Sequence, residues 1–140
     1  MSAPHPEAHT GRELEMMLAG RKPLAWFTFS EDYDTDLLEE HLRAFEPHVR
    51  EGRLIECAYS EEVAFDPRVG RRLRMRTLLY ALPGEEWRIP AMRLVLATNG
   101  SLTRLQDAKP NEAIDRIIGA LLGYTESEID TYVNRCRVDT

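Results

Sequence analysis

Arg71-Arg72-Leu73-Arg74-Met75-Arg76-Thr77-Leu78-Leu79-Tyr80-Ala81-Leu82 is the stretch on which the fold turns. Up to Thr77 it alternates: Arg72, Arg74 and Arg76 point one way, and Leu73, Met75 and Thr77 the other. That is the period of two expected of a β-strand. From Leu78 to Leu82 it is apolar on both faces. A strand with a polar outer end and a buried inner end accounts for the change. Pro83-Gly84 then reads as a turn.

Upstream, Gly52 introduces a second strand, Leu54 to Tyr59, in which Ile55, Cys57 and Tyr59 alternate with Leu54, Glu56 and Ala58. Residues 60–70, acidic and holding Pro67 and Gly70, read as a loop. A third strand is expected after Pro23, in the aromatic run Leu24 to Phe29. Thr10-Gly11-Arg12-Glu13 has the spacing of a capping box for a first helix. Asp34, Thr35 and Asp36 supply caps and first-turn acids for a second helix near 35–46, which Pro47 should end or kink. Residues 1–9, with Pro4, Pro6, His5 and His9, read as a flexible tail.

Downstream, Trp87 to Ala97 is expected to be helical, with Pro90 tolerated in the first turn and Asn99-Gly100 as a stop. Its apolar composition suggests a core helix. Pro110-Asn111 opens a helix to Leu122 with Gly123 as cap, and Thr125-Glu126-Ser127-Glu128 opens a last helix reaching Cys136. The order αβαββ followed by three helices predicts a single α+β domain over residues 10–140. Its sheet should have about three strands, at least partly antiparallel, with one face on a helical layer and a helical C-terminal half.

Glu86-Trp87-Arg88-Ile89 and Gly119-Ala120-Leu121-Leu122-Gly123-Tyr124, about a third of the chain with the helix between them, resemble a group of small bacterial proteins sharing an EWRI…LLGY pattern. The resemblance implies a bacterial origin and a helix after Trp87. It implies no activity, cofactor or site.

With 140 residues, 43% hydrophobic and 30% charged, the chain can bury a core without metals or disulfides. No apolar run approaches the roughly 20 residues that span a bilayer. The tail has neither the basic start nor the apolar core of a secretory signal, so a cytoplasmic address is expected. Cys57 and Cys136 lie in apolar stripes and read as small buried hydrophobes. A net charge of −6 argues against nucleic acid, whose affinity comes mainly from neutralised phosphates. The last two helices could suggest a helix-turn-helix, but Glu126, Glu128 and Asp130 would face phosphate at its reading end.

Charge is nonetheless unevenly spread. Residues 31–66 carry twelve acids and three arginines, whereas 68–104 carry eight arginines against Glu85 and Glu86. Arg72, Arg74 and Arg76, about 6.5–7 Å apart along one strand face, would repel unless anions sit among them. Those anions could be the chain's own, from Glu39, Glu40, Glu56, Glu61, Glu62 or Asp66, which is the reading sequence favours. They could instead belong to a ligand bearing phosphate or carboxylate, which forked guanidinium bonds recognise well, with Arg88 assisting.

Asp32-Tyr33-Asp34-Thr35-Asp36 has carboxylates that could share a cation, yet Leu37 stands where a calcium loop needs glycine, and helix capping explains the same residues. His41, on the border of the second helix's apolar stripe, is a candidate base or metal ligand with Glu40 and His48. Without HExxH spacing it reads more simply as a structural histidine. No metal site and no cofactor are expected.

The expected function is therefore a non-catalytic domain that acts through a protein partner or self-association, anchored by Trp26, Trp87 or Tyr33. The alternative is a small enzyme or carrier for an anionic metabolite. In it Arg72, Arg74, Arg76 and Arg88 hold the anion, and His41, Asp34 or Glu56 moves a proton.

Overall fold

The computed structural model describes residues 9–98 and 111–139, with side chains described up to Arg135. Helix α1 (Glu13–Leu18), strand β1 (Leu24–Ser30), helix α2 (Thr35–Arg50), strands β2 (Ile55–Asp66) and β3 (Arg71–Ala81), and helices α3 (Arg88–Thr98), α4 (Glu112–Leu121) and α5 (Glu126–Asp139) follow in that order. The protein is an α+β domain. Its three strands run in the order β1-β3-β2, and both outer strands are antiparallel to β3. The arginine-bearing stretch is thus the central strand.

That position explains why β3 is apolar on both faces at its inner end. Leu78 and Tyr80 point toward α1 and α2, where they pack with Met17, Ala25, Phe45 and Leu54. Leu79 and Ala81 point the other way, against Leu24, Ile89, Met92 and Leu121 of β1, α3 and α4. The sheet therefore lies between two helical layers, not on one. We call these the α2 face and the α3 face.

Three other local expectations are corrected. β2 continues through residues 60–66, which sequence reads as a loop, because Glu61 and Glu62 stay in register with Met75 and Arg74. A bulge between Glu62 and Phe65 breaks the alternation there, and the true turn is confined to the residues that follow Asp66. α2 runs past Pro47 for one more turn and stops where Gly52 adopts a φ of +79°. At α1, no side chain caps the helix at Arg12. The second capping box does form: Glu128 N–H donates to Thr125 Oγ1 (3.1 Å) and Thr125 N–H to Glu128 Oε1 (2.8 Å).

α3 is helical as expected but buries only one side. Ile89 and Met92 are in the core, while Trp87 is 56% exposed and Leu94 69% exposed. His9, assigned by sequence to the tail, is buried and stacks on Tyr124 at 3.8 Å. It also shares a hydrogen bond of 2.8 Å with the Nζ of buried Lys22, which in turn donates to the Leu122 carbonyl (2.7 Å). Burial draws Lys22 down to about 8. The remainder of the tail, the Asn99-Gly100 stop, Pro110 and the Cys136 side chain lie outside the described residues. Among the described residues, no helix is long and apolar enough to cross a membrane.

Candidate ligand-binding face

The pairing register gathers Arg72, Arg74 and Arg76 on the α2 face, beyond the apolar end of β3. Phe29 of β1 and Ser60 of β2 flank Arg76, Glu62 lies beside Arg74, and Phe65 lies beside Arg72. α2 covers the β1 half of this face with Leu38, Leu42 and Phe45. The β2 half is left open, since Glu56, Ala58, Ser60 and Glu62 are all exposed. Arg72 and Arg74 are exposed as well, and Arg76 is half-buried.

The internal network favoured by sequence is absent from these three arginines. None of them makes an ion pair with a described acid within 4.0 Å. Two of the nearby acids are engaged with other arginines. Asp32 pairs with Arg71, and Asp66 pairs with Arg68 at 2.9 Å while accepting the Tyr33 hydroxyl at 2.6 Å. The Arg68 and Tyr33 hydrogen bonds hold the Asp66 carboxyl well below the usual carboxylate range. Glu31, at the end of β1, reaches across β3 to accept the Ser60 hydroxyl.

Arg76 carries a further anomaly. Its Nε is buried and has no hydrogen-bond partner among the described residues. A buried donor left unpaired costs about 1–3 kcal/mol, so such groups are normally satisfied. The shelf thus consists of three guanidiniums that make no ion pair among the described residues, one of them with an unused donor.

Two of the three proton-transfer candidates converge on Tyr80, at the apolar end of the same face. His41 Nε2 lies 2.9 Å from the Tyr80 hydroxyl, and its ring stacks on Phe45 (4.2 Å) with Phe27 at 4.5 Å. Burial among these rings lowers His41 to about 4, so it is neutral at pH 7. Tyr80 is fully buried. Burial, and next the nearby Glu56, push its hydroxyl well above the usual phenol range, against an opposing effect of Arg76. His41 and Glu56 therefore meet at a phenol that stays protonated and is closed to solvent.

Asp34 and Arg88 stand apart. The Asp34 carboxylate accepts the Ser30 N–H at 2.8 Å and closes the turn between β1 and α2. Arg88 lies on the other side of the sheet. It pairs with Glu85 (2.7 Å), donates to the carbonyls of Ala120 (3.2 Å) and Leu121 (3.1 Å), and lies over the Trp87 ring. It caps the C-terminal end of α4. His48 shares a 3.0 Å contact with Arg53 instead of joining His41. Among the described residues, no group of three or more His, Cys, Asp and Glu side chains could hold a metal ion.

Trp26, half-buried, packs on the α3 face against the core. Cys57 packs there too, half-buried, with Arg93 Nη1 at 3.9 Å from its sulfur. Sequence reasoning missed Tyr80 as the meeting point of His41 and Glu56. An isolated tyrosine in an apolar run gives no signal of that role. It also missed Phe65, because the bulge hides which face that residue occupies. No family model matches the chain, and no curated protein and no solved structure matches it either.

Proposed function

We propose that the protein is a non-catalytic binding domain whose Arg72-Arg74-Arg76 shelf receives an anionic ligand bearing carboxylate or phosphate groups. The observation that carries this reading is that none of the three arginines makes an ion pair within 4.0 Å with a described acid, together with the unused Nε of Arg76. Arginine is suited to such ligands because its planar fork matches both anions. Binding is favoured over catalysis by the state of the neighbouring ionisable groups. His41, held neutral by burial well below the pKa of a general base at pH 7, and Tyr80, closed to solvent, are poorly suited to general acid-base work.

Thermal melting against phosphates, nucleotides, carboxylates and divalent metals tests the reading. An anion at 100 times its dissociation constant adds about 2.7 kcal/mol, a rise of several degrees at this size. Arg74→Leu should remove that rise while leaving the unliganded melting temperature nearly unchanged. A variant that melts much lower with or without anion would return the arginines to an internal structural role.

Self-association is a second reading, and a separate observation supports it. Trp87, immediately before α3, and Leu94, two turns along it, are both exposed. Sedimentation should show a dimer that Trp87→Ala and Leu94→Ala convert to monomer. A wild-type chain that sediments as a monomer at every concentration would end that reading.

A further inference from the structure

Resting on the arginine shelf as an anion site, the geometry points to the class of ligand: we infer that the shelf binds an extended acidic peptide with carboxylates at every second position. Arg72, Arg74 and Arg76 repeat every two residues on a β-strand, about 6.5–7 Å apart, and an extended peptide repeats its own same-face side chains at that interval. Three alternate acids therefore meet three guanidiniums one to one. A small anion engages one or two.

Shape is the second argument. Small-molecule sites are concave and enclose most of their ligand. The β2 half of the α2 face is instead an open floor, with Ala58 and Ser60 exposed between Glu56 and Glu62. Phe65, 62% exposed beside Arg72, adds an apolar contact at the outer end. A long, flat ligand suits this floor better than a compact one.

Charge arrangement supplies the third argument, and it separates a peptide from other polyanions. Glu62 lines the β2 side of the arginine row beside Arg74, and Glu31 crosses the row to reach Ser60. A nucleic-acid backbone carries charge continuously and would meet these carboxylates as well as the arginines. A peptide places its charges only where its sequence puts them, over β3. Like-charge contacts at the flank then act against the wrong partner.

The test uses the full chain and two labelled peptides of equal composition, about nine residues long. One carries three glutamates at alternate positions, and the other carries the same three in a block. Fluorescence anisotropy should give the alternating peptide a dissociation constant about tenfold or more below that of the block isomer. Arg74→Gln should erase the difference, and Arg72→Gln is the substitute if that variant does not fold. Equal affinity for the two isomers would overturn the inference, as would tighter binding of a single-stranded oligonucleotide. If neither peptide binds but citrate or inorganic phosphate still raises the melting temperature, the peptide inference fails and the anion shelf stands. If no peptide and no anion has any effect, both fall together.

Discussion

The two faces of one three-stranded sheet have been put to different uses. On the α3 face, alternate residues of β3 and its neighbours are apolar from Leu24 and Ala81 to Cys57 and Tyr59, and α3 and α4 close over them. On the α2 face the same strands carry an apolar end, where Phe27, Leu78 and Tyr80 meet α2, and a charged end that no helix covers among the described residues. A helical cover requires an apolar floor, since buried unpaired guanidiniums would cost more than the packing gains. Where β3 turns from leucine to arginine, the cover stops. The shelf is therefore open for a sequence reason and not through incomplete packing.

The largest test of this contrast is to damage each face in turn. Leu79→Ala, at a position 0% exposed on the α3 face, should cost about 2–5 kcal/mol in chemical denaturation and leave anion binding intact. Gly123→Ala should cost about 2–4 kcal/mol, measured the same way. Its φ is +87°, and an added Cβ would lie 2.5 Å from Pro23 Cδ. Both changes strike packing and should spare the shelf.

An intermediate effect is expected at the boundary between the apolar and charged ends. Tyr80→Phe removes the hydroxyl paired with His41 and should cost about 1–3 kcal/mol. The same pair gives a pH signature. His41 titrates at about 4 in the folded chain and near 6.5 when unfolded, so between these values the unfolded chain binds more protons. Its contribution is complete above pH 6.5 and is lost as pH falls through 4. With solvent screening of a half-exposed ring, the loss should be about 1–2 kcal/mol. Melting curves across that range should flatten in His41→Phe.

The smallest stability change belongs to the shelf itself. Arg74→Leu should alter stability by no more than about 0.5 kcal/mol, because the residue is exposed and has no ion-pair partner among the described residues. Glu31→Gln should sharpen the contrast further by tightening anion binding a few-fold, through removal of a like charge beside the arginines.

Much of this fold could be read from the chain because period does not depend on tertiary context. The alternation of residues 72–77 places three arginines on one face whatever pairs with them, and the Thr125–Glu128 box forms as its spacing requires. Residues 60–66 were illegible for the opposite reason. Acidic composition and Pro67 imitate a loop, and only pairing with Arg71–Met75 holds them as a strand. Pro47 likewise removes one N–H near the end of α2, which one extra turn tolerates. The candidate site shares this division. The arginine row is local, but whether acids reach it depends on the order β1-β3-β2 and on Asp32 and Asp66 bonding to Arg71 and Arg68 instead.

The most direct test of the central claim is an NMR titration of the labelled protein with the anion that raises its melting temperature most. The account predicts that amide shifts are confined to residues 58–62 and 72–76 and to the segment around Glu31, with the α3 face silent. Shifts centred on α3 to α5, with the arginine strand unmoved, would contradict it.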